Sequence, residues 1–365
     1  MHLQFIPPHH PFWSALIPAG PHDIYHLHGY LTLEAKRTHT LPEGVVISDD
    51  DAILFLPYLL RSDRDILPDD TLLAEVFDVV SPYGYPGLVL NQAARERPHF
   101  VAKALQTLKQ GLRERCVCSA FFRLHPIGDA GLETALTAAL TEEEYCFQGK
   151  TISVDLTLTE SEIWSHTRSD HRNRINRAKR QGMTARIVPW QAALSTFVEI
   201  YIETMERVGA ADRYLEFDEA YLTQLGNVLG DRLHLCLVES EGEVASAGLY
   251  TEWAGIVQAI LGGTRTVFLK QSPSTLETHF VALWAKARGC QFLHLGGGVG
   301  ATQDPLFRYK AGFSKQRHRF YTLRLITDAD QYQSLVHLRA KALNLTPETL
   351  YQTHYFPAYR APIGE

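Results

Sequence analysis

Between residues 233 and 261 the chain reads LHLCLVESEGEVASAGLYTEWAGIVQAIL, three short apolar runs with the first two joined by a glycine-containing hairpin. Runs this short bury a face only by pairing side by side, which predicts antiparallel strands over 233–239, 244–251 and 255–261. Helices are expected on both sides of this meander. Before it, QAALSTFVEIYIETMERV puts Leu194, Phe197, Val198, Tyr201, Met205 and Val208 on one helical face, and FDEAYLTQLGNVL follows as a second helix. After it, Ser274 with Glu277 three residues later reads as a capping box. That helix turns Leu276, Phe280, Leu283, Trp284 and Ala287 inward and ends at Gly289, ahead of the strands QFLHL and RFYTLRLI.

The first half follows a similar plan. Strands are predicted over 24–33 (IYHLHGYLTL), 44–48, 52–60, 75–80 and 117–125. The helix HFVAKALQTLKQGLRER carries Val101, Leu105, Leu108 and Leu112 at helical spacing, and SPYGYPG (81–87) is a turn that presents Tyr83 and Tyr85. At 365 residues the chain exceeds one ordinary core. The expectation is an α/β fold with mixed sheets in two duplicated domains, 1–150 and 151–365.

With 45% hydrophobic and 21% charged residues the chain is a folding one. No window reaches the roughly 18 apolar residues of a membrane helix, and MHLQFIPPHHPFW lacks a leader pattern, so a cytoplasmic protein is expected. Five cysteines without a C-x-x-C pair indicate neither a zinc ribbon nor a disulfide framework, and the scattered histidines indicate no metal site. The net charge of −6 disfavours a protein that coats nucleic acid. Two basic segments nevertheless stand out. One holds Arg168, Arg172, Arg174, Arg177, Lys179, Arg180 and Arg186 against Asp170; the other holds Arg308, Lys310, Lys315, Arg317, Arg319 and Arg324 with no acid between Asp304 and Asp328. Such a layout suits one polyanionic ligand in a cleft.

The run LGGGVGATQ departs from both phosphate-binding patterns. Ala301 and Thr302 follow Gly300 where a P-loop needs lysine and a hydroxyl, and Asp304-Pro305 interrupts the long helix of a dinucleotide site. A sharp exit from QFLHL with close backbone approach explains the glycines, with ligand contact as the alternative. Lys310, among Phe307, Tyr309 and Phe313, can present a fixed positive charge in a partly dry site; a snorkelling surface lysine is the bland alternative. The helix SDHRNRINRAKRQG offers only Ile175 and Ala178 to a core. Its excess charge, without acidic partners one turn away, points to an external anion.

HLGGGVG followed by LFRYKAGFS, preceded by RNRINRAKRQG and with SPYGYPG in the first half, resembles the Fem-type aminoacyl transferases. These are tandem acyltransferases built from two copies of the GCN5-related N-acetyltransferase (GNAT) fold. The resemblance spans nearly the whole chain and implies tandem GNAT-like domains with a cleft between them. It also implies transfer of an amino acid from aminoacyl-tRNA to an amine of a peptide, a peptidoglycan precursor or another small molecule. Lys310 matches the lysine of the family's F-K-x-G-F motif, with Tyr309 where phenylalanine is usual and Arg308 beside it. An ammonium there would stabilise the tetrahedral oxyanion of amide formation. Tyr83 and Tyr85 match a turn facing the acceptor, Arg172 and Arg174 the basic helix, and Arg213 falls near an arginine that binds acceptor phosphates in some members.

One departure is His125, in RLHP, where tRNA-dependent members often carry a carboxylate. A histidine there can take a proton from the attacking ammonium or serve as a structural residue. CoA-dependent enzymes of this fold cradle pyrophosphate with a glycine-rich turn at a helix N-terminus. The corresponding TRTVFLKQSPSTLETHF has no glycine and contains a proline. The expected donor is therefore aminoacyl-tRNA, with no cofactor. An acyl-CoA or acyl-carrier donor, and a non-catalytic module binding RNA or a glycan precursor, are the alternatives.

Overall fold

A computed structural model describes residues 1–17, 22–67, 75–97, 99–127 and 130–363, apart from the side chains of residues 65, 130 and 213. The chain begins with β1 (His2–Ile6), α1 (Trp13–Leu16), α2 (His28–Arg37), β2 (Leu41–Asp49), β3 (Ala52–Ser62), β4 (Phe77–Val80) and β5 (Val89–Leu90). Then come α3 (Gln92–Arg95), α4 (Phe100–Glu114), β6 (Val117–Arg123), α5 (Ala130–Ala139), β7 (Tyr145–Asp155), α6 (Glu160–His166) and α7 (Ser169–Arg180). The middle of the chain holds β8 (Thr184–Val188), α8 (Trp190–Val208), α9 (Glu219–Leu229), β9 (Leu233–Ser240), β10 (Glu243–Trp253) and β11 (Ile256–Thr264). It closes with α10 (Pro273–Ala287), β12 (Phe292–Gly296), α11 (Pro305–Lys310), β13 (Arg317–Ile326), α12 (Ala329–Ala342) and α13 (Pro347–Gln352). Two compact units result: Met1–Pro18, Tyr25–Gln148 and Phe320–Glu365 form the first, and Ala19–Ile24 with Gly149–Arg319 the second.

In the first unit β1, β2, β3 and β4 pair antiparallel in order, β4 runs parallel to β6, and β6 pairs antiparallel with β13. α4 buries Val101, Leu105, Leu108 and Leu112, the four residues its spacing selects, against Leu54, Leu56 and Phe122. In the second unit β9, β10 and β11 form the expected meander, and β8, which the sequence reading did not include, pairs antiparallel with β9. The turn between β9 and β10 puts Glu241 and Gly242 at positive φ, as a tight hairpin requires. β11 then pairs parallel with β12 over only Ile256–Gln258 and Phe292–His294 before the two separate, and β12 pairs antiparallel with β7. α10 covers one face, packing Val281, Ala282 and Ala285 on Ile152, Val154, Val257 and Leu293.

Three sequence expectations are corrected. Residues 24–33 are a 3-10 turn and the start of α2, not a strand; Leu27, Tyr30, Leu31 and Glu34 stand at helical spacing, and Tyr30, Leu31 and Glu34 are buried. The second domain does not run to 365. β13 pairs Thr322–Ile326 with Ser119–Arg123, and α12 and α13 bury Leu335, Val336 and Leu350 with Leu67, Val76 and Cys118, so residues 320–365 complete the first unit. α10 has no Ser274–Glu277 box: it starts at Pro273 behind Ser272, Glu277 turns inward, and Ala287 is exposed.

Candidate functional site

β12 ends in a glycine run that folds the chain back on itself. Gly296 has φ +74°, and a Cβ at Gly298 would lie 2.2 Å from the Thr302 carbonyl oxygen and 2.3 Å from Asp304 Oδ1. Only glycine permits that approach. Asp304 organises the return: Oδ2 accepts from Val299 N at 3.1 Å, and Oδ1 caps α11 by accepting from Phe307 N at 2.7 Å. Pro305 fills the first helical position, where a missing N–H is harmless. The run thus serves strand exit and close packing, and opens onto a 3-10 turn and a six-residue helix.

Lys310 is the last residue of α11. Its Nζ donates to the Gly297 carbonyl oxygen at 2.7 Å, which holds the ammonium at the end of β12. Burial pulls its pKa down to about 8, opposed by the Asp304 carboxylate. The side chain is partly exposed, and an ammonium has three donors, so two remain for an incoming oxygen.

Aromatic rings fix this segment. Tyr309 lies edge-on to Phe313 at 5.2 Å between centroids, and its hydroxyl is 3.3 Å from Thr278 Oγ1 on α10. Burial raises the Tyr309 phenol to about 12. Behind them sits His171 of α7, fully buried, stacked on Phe313 at 4.6 Å and edge-on to Tyr309 at 5.4 Å. Neither of its ring nitrogens has a hydrogen-bond partner among the described residues, and burial lowers its pKa to about 4. A Cβ at Gly312 would come within 2.0 Å of the imidazole, and Arg168 N donates to Gly312 O at 2.7 Å. The start of α7 therefore clamps the turn after Lys310. Sequence reasoning assigned only Ile175 and Ala178 to the core; the spacing of His171, Ile175 and Ala178 is the signal that would have added the third.

A second buried group lies on α10. Glu277 accepts from Ser246 Oγ at 2.8 Å and from Tyr250 Oη at 2.9 Å, both on β10. Gly248 between them makes the room, since a Cβ there would lie 1.9 Å from Glu277 Oε1. Burial raises the carboxyl to about 7 against the pull of the two hydroxyls.

α7 presents its cations on two edges, as 3.6 residues per turn requires. Arg168 and Arg172 lie toward α11, where Arg168 Nη1 donates to Arg308 O at 3.3 Å. Arg174 and Arg177 share the other edge, where Arg177 Nη2 donates to Lys270 O at 2.7 Å, and Arg180 points away from the core. The helix does have one acidic partner a turn away, Asp170, 3.8 Å from Arg174 and bonded to Arg168. Arg172 and Arg180 have no side-chain partner among the described residues. Arg308 is exposed, with Nη1 3.4 Å from Gln303 O.

The remaining candidates belong to the first unit, apart from Arg213. The 81–87 loop is tied to α2 by Tyr83 N, which donates to Glu34 Oε2 at 3.2 Å, and by Tyr30 Oη, which donates to Tyr83 O at 3.0 Å. Tyr85 lies edge-on to Phe320 at 5.2 Å. His125 packs on the same loop: a Cβ at Gly87 would be 2.9 Å from His125 N, and His125 Nδ1 faces Ile127 O at 3.1 Å. Tyr83, Tyr85 and His125 are thus together, as are Arg168, Arg172, Arg308, Tyr309 and Lys310 in the second unit. Arg213 is in the 3-10 turn Asp212–Tyr214, and its side chain lies outside the described residues.

Residues 165–311 match the family model described as an acetyltransferase (GNAT) domain. That span, which holds α7, the meander, α10, β12 and Lys310, is similar to a GNAT acetyltransferase domain. No curated protein matches the sequence. Among solved structures the chain is similar to FemX at 13% identity, covering 91% of this chain and 99% of that one with a TM-score of 0.67. It is also similar to the C-terminal domain of a putative lysylphosphatidylglycerol synthetase from Agrobacterium fabrum (12% identity, 88% and 92% covered, TM-score 0.51). A Bacteroides thetaiotaomicron protein of unknown function matches at 11% identity, with 86% and 96% covered and a TM-score of 0.53. Over nearly the whole chain the fold is similar to that of FemX. No helix among the described residues is long and apolar enough to cross a membrane.

Proposed function

We propose that this chain transfers an aminoacyl group from aminoacyl-tRNA to an amine of a peptide, peptidoglycan-precursor or other small-molecule acceptor. The observation that carries the donor choice is the start of α10. Pro273 at its first position has no N–H, Thr275 N donates to Ser272 O at 3.1 Å, and Ser272 adopts φ +57°. A pyrophosphate cradle needs several free helix-terminal amides, and this terminus is poor in them. Arg172, without a side-chain partner among the described residues, and the exposed Arg308 supply the positive charge that a polynucleotide end requires.

In this reading the acceptor amine attacks the ester carbonyl, the C–N bond forms, and the carbonyl electron pair moves onto oxygen. The Lys310 ammonium stabilises that oxyanion, and collapse expels the ribose oxygen. His125 takes the amine proton. Its Nδ1 faces Ile127 O at 3.1 Å, which orients the ring. Tyr83, Tyr85, Arg172, Arg174, Arg213, Arg308 and Tyr309 are the proposed substrate contacts.

A CoA- or carrier-linked donor is the second reading, favoured by the acetyltransferase domain match. Parallel titrations with charged tRNA and acetyl-CoA, at about 50 and 200 mM salt, separate them. Saturable tRNA binding that weakens steeply with salt supports aminoacyl transfer. Tight CoA binding without a tRNA response overturns it.

A further inference from the structure

The turn between β11 and α10 carries two apolar side chains that the transfer reading does not use. Val267 is 77% exposed and Leu269 42%, while Phe268 between them packs on Ile175, Ala178 and Leu276. The exposure is built in, because the turn is tied on all sides. Thr266 N donates to Glu203 Oε1 at 2.6 Å, Arg207 Nη1 to Thr266 Oγ1 at 2.9 Å, and Ser272 N to Leu269 O at 3.1 Å. Two aliphatic groups are therefore held outward in water.

Their surroundings are cationic. Arg177 reaches across from α7 to Lys270 O, beside the exposed Lys270 side chain. Of the nearby carboxylates, Glu199 and Glu203 pair with Arg265 at 3.1 and 3.8 Å and Asp170 with Arg168 and Arg174, while Glu206 of α8 is exposed. This is a positive, apolar-tipped spot on a chain of net charge −6. A polynucleotide rewards cations and aromatic platforms and has no use for an aliphatic pair. The interface of an anionic bilayer takes both: aliphatic groups enter the acyl boundary while cations face lipid phosphates.

We propose that the 266–271 turn, with Lys270 and the adjoining Arg177 of α7, docks this protein on an anionic lipid surface, with Val267 and Leu269 inserted. The inference stands apart from the choice of acyl donor. It is tested by co-sedimentation of the full chain with phosphatidylcholine vesicles, with and without about one-third phosphatidylglycerol. Binding is expected only to the anionic vesicles, weakening with salt. The Val267→Ser/Leu269→Ser variant should bind about ten-fold more weakly and Arg177→Gln/Lys270→Gln at least as much so, with unchanged melting temperature for the exposed pair. Absence of binding by the wild type at low salt overturns the proposal. So does full binding by the serine variant, which would leave only diffuse electrostatics. Loss of tRNA affinity in that variant with vesicle binding intact would assign the face to RNA and overturn it equally.

Discussion

Glu277→Gln should remove a pH dependence of stability that the wild type carries between pH 4.5 and 7. The carboxyl is buried, its described partners are two hydroxyls, and its pKa rises from an ordinary 4.5 to about 7. A carboxyl whose pKa is higher folded than unfolded holds its proton more tightly in the native state. Its stabilising contribution is therefore complete below pH 4.5 and is lost as the pH rises through 7. At ~1.4 kcal/mol per pH unit, the loss is ~3 kcal/mol. Glutamine keeps the shape, accepts from one hydroxyl through its amide oxygen, donates to the other, and does not titrate. Urea unfolding of both proteins at pH 5 and pH 8 isolates the group, because every other titration cancels in the difference. Relative to the wild type, the variant should gain ~2–3 kcal/mol between the two values. A difference constant to within ~0.5 kcal/mol would refute the argument, since the carboxyl would then titrate as in solvent.

Lys310→Ala should lower kcat by about 10²–10³ with the fold intact by circular dichroism, as expected for loss of one oxyanion donor. Because the oxyanion role needs the charged form and the ammonium titrates at about 8, transfer should fall as pH rises through 8. The same depressed value means that the unfolded chain binds more protons between pH 8 and 10.5, so stability should rise over that window, and Lys310→Met should flatten the rise. His171→Phe should preserve the stack on Phe313 and melt no lower than the wild type, whereas His171→Ala should cost ~2–4 kcal/mol by opening a cavity behind Tyr309. Gly298→Ala should disorder the return loop, read as proteolysis near Thr302 and reduced transfer, because its Cβ would strike the Thr302 carbonyl.

The meander, α4, α8 and α7 were legible because each repeats its apolar residues at a period that one element alone sets. Lys310 was legible as a residue, through its motif. The strand expected over 24–33 failed because IYHLHGYLTL supports both periods, and burial of Leu31 with Trp13 and Phe55 and the bond of the Tyr30 hydroxyl to Tyr83 O decided for the helix. Ser274 and Glu277 carry the spacing of a cap, yet the carboxyl points where Ser246 and Tyr250 offer hydroxyls and Gly248 leaves space. By itself, then, the sequence determined the periodic elements, the two basic segments and the glycine-to-lysine motif, all of which depend on neighbours along the chain. The tertiary structure alone decided that residues 320–365 complete the first unit, that Lys310 is held by Gly297, and that His171 and Glu277 are buried. Those outcomes depend on strand pairing and desolvation between residues far apart in sequence, which no local spacing records.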